Sequence, residues 1–225
     1  MTGYPQFCPV AKTAEVLCER WVPLILREVM CGSSRFSEIQ RGVPGISPTL
    51  LTKRLRGLEA AGVIDRSMDG PHSNYSPTTA GWELYPILQA MGVWGQRWAR
   101  SSYTPDELDP GFLMWDMRRM LQPAGLADGQ TVVEFQFAAT PPGRSRYWLV
   151  VNDTVDLCLV DPRHVIDLTV RSELRTLTMV WMGDISMASA IHDRSVQLVG
   201  PRALVRRFPE WLGRHPILGA VDAAR

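Results

Sequence analysis

Along the first hundred residues the apolar positions recur at helical spacing, in short segments separated by polar and turn-forming residues. Val16, Trp21, Leu24, Ile25, Val29 and Met30 supply the apolar faces of one or two helices, the second opened by Pro23. Residues 35–42 and 47–61 read as two further helices joined by a tight turn through Pro44 and Gly45. Ser47 suits the cap of the later one, because its hydroxyl can accept from an unpaired first-turn amide. Pro48 suits the first helical position, where a missing N–H costs nothing. At 3.6 residues per turn Leu51, Leu55 and Leu58 share a core-facing side, while Thr49, Thr52, Lys53 and Arg56 point the opposite way. Gly62 closes this helix, and a small hairpin comes next: strand over 63–66, turn over 68–74, return at Tyr75 and Ser76. Thr78 then caps a long segment marked by Leu84, Ile87, Leu88, Met91 and Trp94 or Trp98, with Pro86 placed to kink its early turns.

Over residues 101–110 the periodicity stops and turn formers and acids take over, which sets a domain boundary and divides the chain into residues 1–104 and 105–225. A helix over 112–121 leads into strands: Val133, Phe135 and Phe137 alternate with polar residues, 147–151 and 155–160 flank a turn at 152–154, and Ile166, Leu168 and Val170 alternate again. Helices over 172–182 and 186–192, a strand over 195–199 and a last helix opened by Gly200 and Pro201 complete an α+β domain.

In the first half, the order of three helices, a hairpin and a helix is that of a winged helix-turn-helix, so the overall class is α+β with a DNA-binding module in front. The outer face of 47–61 offers hydroxyls to base edges and cations to phosphates. Taken alone, the same stripe also fits a solvated amphipathic helix. Charge favours the first reading. The 225 residues carry a net charge of +1, but residues 1–100 hold eleven Lys and Arg against eight Asp and Glu, and the remainder thirteen against fifteen.

Several motifs, in order, resemble the HxlR-type winged-helix transcription regulators, relatives of the MarR group. They are Cys8-Pro9-Val10, Arg20-Trp21, Leu24 to Glu28, Arg35-Phe36-Ser37-Glu38, Pro44-Gly45-Ile46-Ser47, Leu51 to Leu55, Leu58 to Ile64 and Thr78 to Leu84. The resemblance implies a homodimer, formed by the first helix and the long helix after the wing, on a near-palindromic double-stranded DNA operator. It makes 47–61 the recognition helix and assigns DNA contacts to Arg35, Ser47, Thr49, Thr52, Lys53, Arg56, His72, Ser73 and Asn74. Where members often carry a wing arginine, this chain has His72, followed by Ser73 and Asn74, so the wing is expected to be less basic.

The second half resembles the sterol carrier protein type 2 fold through 157–162, 167–170, 174–177, 180–184 and 200–205. That fold encloses an apolar tunnel for sterols or acyl chains. Trp148, Met179, Trp181, Met182, Met187 and Ile191 are the candidates to line one, and they fit equally as plain core.

The four cysteines lack metal-type pairing. Cys18 and Cys31 are expected in the core, whereas Cys8 precedes Pro9 at a helix start, which favours thiolate; some members of the resembled family sense oxidants or electrophiles there. The four histidines are scattered and there is no glycine-rich phosphate loop, so neither an enzyme nor a cofactor is expected. No run of eighteen apolar residues and no secretory signal pattern at the start point to a cytoplasmic protein without a membrane span. The expected function is transcription regulation by a dimer, modulated by an apolar ligand in the second domain. The alternatives are a lipid-binding or lipid-transfer protein that uses its winged helix for assembly, and a redox regulator acting through Cys8.

Overall fold

Apolar stripes at helical spacing bury one side of four successive helices: α1 (Pro9–Leu17), α2 (Val22–Met30), α3 (Phe36–Gly42) and α4 (Pro48–Ala60). This is the arrangement in a computed structural model, which describes residues 3–99, 103–121, 129–141, 143–213 and 215. The chain divides into two compact units at Trp98 and Ala99.

In the first unit Leu17, Ile25, Leu26, Ile39, Leu51, Leu55, Leu58 and Ile64 make the core. Ser47 caps α4, accepting from the Leu50 amide at 3.3 Å, and Pro48 sits in its first turn. The hairpin is longer than the sequence suggests. Its strands, β1 (Ile64–Asp69) and β2 (His72–Pro77), pair from Ile64 with Pro77 to Asp69 with His72, leaving only Gly70 and Pro71 as the loop. Gly70 has φ 58°, the positive angle that a type II′ hairpin turn needs at its first position. His72, Ser73 and Asn74 therefore lie on a strand, not in a turn.

Thr78 accepts from the Gly81 amide at 3.0 Å and donates to the Gly62 carbonyl at 2.7 Å, which ties the end of the hairpin back to the end of α4. The expected long helix is broken rather than kinked. α5 (Thr79–Glu83) ends at Leu84, and α6 (Tyr85–Trp94) restarts with Pro86 in its first turn, since proline lacks the amide that a continuous helix would need there. No residue of α6 is buried.

Beneath α3, the fully buried Glu28 accepts from Arg27 and from the Ser33 hydroxyl, and Arg27 donates to the Gly42 carbonyl at 2.7 Å. This buried node joins the end of α2 to the end of α3.

In the second unit α7 (Pro110–Met120) precedes β3 (Thr131–Ala138), β4 (Arg146–Val151), β5 (Val155–Cys158) and β6 (Leu168–Glu173). Next come α8 (Leu174–Trp181), α9 (Met187–His192), β7 (Val196–Val199) and α10 (Arg202–Leu212). The strands form one sheet in the order β5-β4-β3-β6-β7, antiparallel except for the central β3–β6 pair. Alternation puts Val133, Phe135, Tyr147, Leu149, Leu168 and Val170 on one face, against Leu113, Met114 and Met117 of α7, Leu177 and Trp181 of α8, and Phe208 of α10. Within this core the Trp181 indole donates to the buried Asp116 carboxylate at 2.8 Å.

Two sequence expectations need correction. Trp148 is buried with Val132 and Val150 on the other face of the sheet from Trp181, because strand neighbours one residue apart point to opposite sides, so one tunnel cannot be lined by both. Cys18 and Cys31 are exposed: each is the residue at which a helix, α1 or α2, ends and the chain turns away from the core.

Candidate nucleic-acid interface

The outward side of α4 carries Thr49, Thr52, Lys53 and Arg56, which together line a shallow hollow of about 450 Å³. A second hollow, of about 490 Å³, adjoins it between α4 and the hairpin. Thr52 and Arg56 line both, and Arg35, Phe36, Ser37, Arg66, His72 and Ser73 are among the other walls of the second. Of the nine residues expected to contact DNA, the structure gathers seven on this continuous surface. The other two have structural positions: Ser47 caps α4, and Asn74 forms an isolated β-bridge with Arg35.

That bridge explains how the surface is held. The Tyr75 amide donates to the Ser34 carbonyl at 2.8 Å beside it, so β2 is stitched to the start of α3. Glu38 accepts from the amides of Ser34 and Arg35, both at 3.0 Å, which fixes the same corner from within α3. From the opposite side Arg54 donates to the Arg20 carbonyl at 3.0 Å and pairs with Glu19, so α4 is clamped to the α1–α2 turn. Arg54, within the segment expected to read DNA, is thus structural, and its neighbours Lys53 and Arg56 have no side-chain partner among the described residues.

Two details differ from the sequence reading. Thr52 donates its hydroxyl to the Pro48 carbonyl at 2.9 Å, so its proton belongs to the helix and only its lone pairs and methyl remain for a ligand. Thr49 has no such commitment among the described residues. Arg66 is the functional candidate that sequence reasoning missed. It donates Nε and Nη2 to the Ser73 hydroxyl at 3.0 and 2.8 Å, across the two strands of the hairpin. Its guanidinium supplies the basic wing group that positions 72–74 lack. The signal lay in the strand register: Arg66 pairs with Tyr75 and Met68 with Ser73, a pairing fixed only once the loop is known to be Gly70 and Pro71.

Cys8 is half-buried at the start of α1 with no capping hydrogen bond from its side chain. Of the expected tunnel residues, Trp181 is core, Met182, Met187 and Ile191 pack half-buried against it, and Met179 is half-buried. Among the described residues no group of His, Cys, Asp and Glu could hold a metal ion, and no helix is long and apolar enough to cross a membrane.

The HxlR-like helix-turn-helix family pattern matches residues 16–103, which contain α2, α3, α4 and the hairpin. The HTH-type transcriptional regulator YvaP of Bacillus subtilis (strain 168) is 37% identical over 112 residues, covering 48% of this chain and 95% of that relative. YkvN of the same organism is 37% identical over 105 residues, covering 45% and 89%. The solved reduced form of the transcriptional regulator YodB from B. subtilis is 30% identical and covers 42% of this chain and 97% of that one, with a TM-score of 0.37. With a relative of this identity covered almost end to end, the chain belongs to the HxlR-like helix-turn-helix family and is a transcription regulator of that type.

Proposed function

We propose that the protein binds a near-palindromic DNA operator as a homodimer, placing α4 in the major groove and the β1–β2 wing against the adjoining backbone. The observation that carries this reading is the continuous surface on which Thr49, Lys53, Arg56, Arg35 and Arg66 converge. Its cations suit phosphates, and Thr49, near the start of α4, suits a base edge. Such a protein works in the cytoplasm, where the DNA is.

For the dimer, the support is apolar surface that the first unit leaves open. Ile87, Met91, Trp94 and Trp98 are exposed along and after α6, Trp98 at 74%, and Phe7 and Val10 beside the start of α1 are exposed at 98% and 75%. A second copy of the chain covers these aromatics in the proposed assembly. Footprinting on the DNA upstream of the protein's own gene tests the whole reading. Two protected half-sites about one helical turn apart, roughly 34–36 Å, are expected. Protection of a single half-site contradicts the dimer, and none at all contradicts the operator.

For the second unit we propose the sterol carrier-like fold, acting as a ligand-sensing module that alters operator affinity. Met182, Met187 and Ile191, packed half-buried at the margin of the core, support an apolar ligand on that face of the sheet. A second reading, control through Cys8, draws on its place at the start of α1, one of the two elements proposed to form the dimer. In that case an oxidant changes DNA binding by the wild type and leaves a Cys8→Ser variant unaffected; a wild type that ignores oxidant removes it.

A further inference from the structure

At one end of the five-stranded sheet there is an open cleft of about 660 Å³ that the regulator reading does not use. It lies where the parallel strands β3 and β6 finish side by side. The chain leaves β3 toward β4 on one side and leaves β6 through α8 and α9 toward β7 on the other. Connections that depart in opposite directions leave a crevice beyond the strand ends, the place where open sheets with parallel strands bind ligands.

The cleft wall is built by register. Gln136 on β3 faces Arg146 on β4 and Arg171 on β6, and Arg171 in turn faces Gln197 on β7. The row Arg146-Gln136-Arg171-Gln197 thus crosses four strands on one face, and all four residues line the cleft. Two residues back along β3, on the same face, the buried Glu134 accepts from the Gln136 side-chain amide at 2.7 Å and lies 3.7 Å from Arg146. That bond turns the Gln136 oxygen toward Arg171, whose Nε donates to it at 3.0 Å. With Nε held, the two Nη groups of Arg171 are left for a bidentate acceptor.

Arg194 adds a third guanidinium from the turn before β7, with no side-chain partner among the described residues and with φ 65°. A residue other than glycine in that conformation is strained, and such strain gathers at ligand clamps. Glu173 is the acid in the wall and Glu134 lies against Arg146, so three guanidiniums face two carboxylates and keep an excess of positive charge, with hydroxyls from Ser145 and Thr176 close by.

We propose that this cleft binds a small, multiply charged oxyanion, a polycarboxylate or a diphosphate, with Arg146, Arg171 and Arg194 as its clamp. Glu134 and Gln136 are positioning residues that aim Arg171.

The test is calorimetric titration of the full-length protein with two probes, inorganic pyrophosphate and citrate, each at up to millimolar concentration. One-to-one binding of either is expected, pyrophosphate alone indicating a phosphate ligand and citrate alone a carboxylate. Arg171→Gln weakens that binding about tenfold or more, as expected for loss of a charged, bidentate contact. Arg171→Lys, which keeps the charge and loses the fork, weakens it too, and Arg163→Gln, outside the cleft, does not. If Arg171→Gln fails to fold, Arg146→Gln, at a side chain 62% exposed, replaces it. Binding of neither probe overturns the proposal, and so does binding unchanged by the arginine variants.

Discussion

The carboxylate of Glu28 fills the space that a β-carbon on Gly42 would need, so the end of α3 can close onto α2 only because residue 42 has no side chain. The close approach lets Arg27 reach both the Glu28 carboxylate and the Gly42 carbonyl, and α3 is the element to which the wing is stitched. Gly42→Ala is therefore expected to displace a buried, hydrogen-bonded carboxylate and to destabilise the first unit by about 1–3 kcal/mol. Thermal unfolding checks this, and a melting temperature equal to wild type removes the proposed role of the Glu28–Gly42 contact.

The α6 surface makes a prediction about assembly. Exposed aromatics at the centre of an interface commonly carry about 2 kcal/mol or more of binding energy each, which is roughly thirtyfold in dissociation constant. Trp94, exposed at 61%, has no core to lose when changed. Ile87→Glu combined with Trp94→Glu should give a folded monomer by light scattering. A dimer of undiminished stability would place the interface elsewhere.

Acid sensitivity of the second unit arises from Asp116. Burial by itself raises the pKa of this carboxyl, but the charges of His215 and Arg119 and the donors from Arg119 and Trp181 outweigh it and hold it below the usual carboxylate range. A carboxyl whose folded pKa lies below its unfolded value, about 3.9, adds stability that is complete above that value and is lost as pH falls through the folded pKa. Asp116→Asn should cost about 1–3 kcal/mol at neutral pH, for want of the charged acceptor. It should cost progressively less as pH falls below the unfolded value, because the wild-type advantage is itself lost on the way down to the folded pKa. Melting curves across that range that run parallel for the two proteins would remove Asp116 as the source.

Legibility in the sequence tracks the range of the interactions. Ser47, Pro48 and the Leu51-Leu55-Leu58 stripe act within a few residues of themselves, so α4 and its outward face can be read directly. In the second unit β3 and β6 announce themselves by alternation and β4 by a continuous apolar run, although Ser172 belongs to β6 and not to the helix after it. The hairpin loop reads too long in the sequence because Asp69 and His72 look like turn residues until they are seen to pair. Arg54 with Glu19, Arg66 with Ser73, and Glu28 beneath Gly42 join residues distant along the chain or across a register, which local periodicity does not encode. The same is true of the Arg146-Gln136-Arg171 row, which exists only because β3 lies between β4 and β6.

Ligand sensing by the second unit predicts a coupling. A fluorescent fatty acid that binds the full-length protein should shift operator affinity by about 1–3 kcal/mol, five- to 150-fold, the usual range for linked sites. Met187→Asp, at the half-buried margin of the core, should weaken fatty-acid binding without changing operator affinity in its absence. Fatty-acid binding with unaltered operator affinity would leave a lipid site and remove the coupling.

If α4 and the wing hold DNA through Lys53, Arg56 and Arg66, the salt dependence of operator affinity reports it most directly. Each phosphate contact contributes about one to the slope of log K against log salt concentration. Fluorescence-anisotropy titrations should give a slope about two smaller for Lys53→Ala with Arg56→Ala than for wild type, and about one smaller for Arg66→Ala. Thr49→Ala should instead leave the slope unchanged and reduce the preference for the operator over unrelated DNA. If the Lys53 and Arg56 double variant binds as tightly as wild type at every salt concentration, α4 is not the DNA-reading helix.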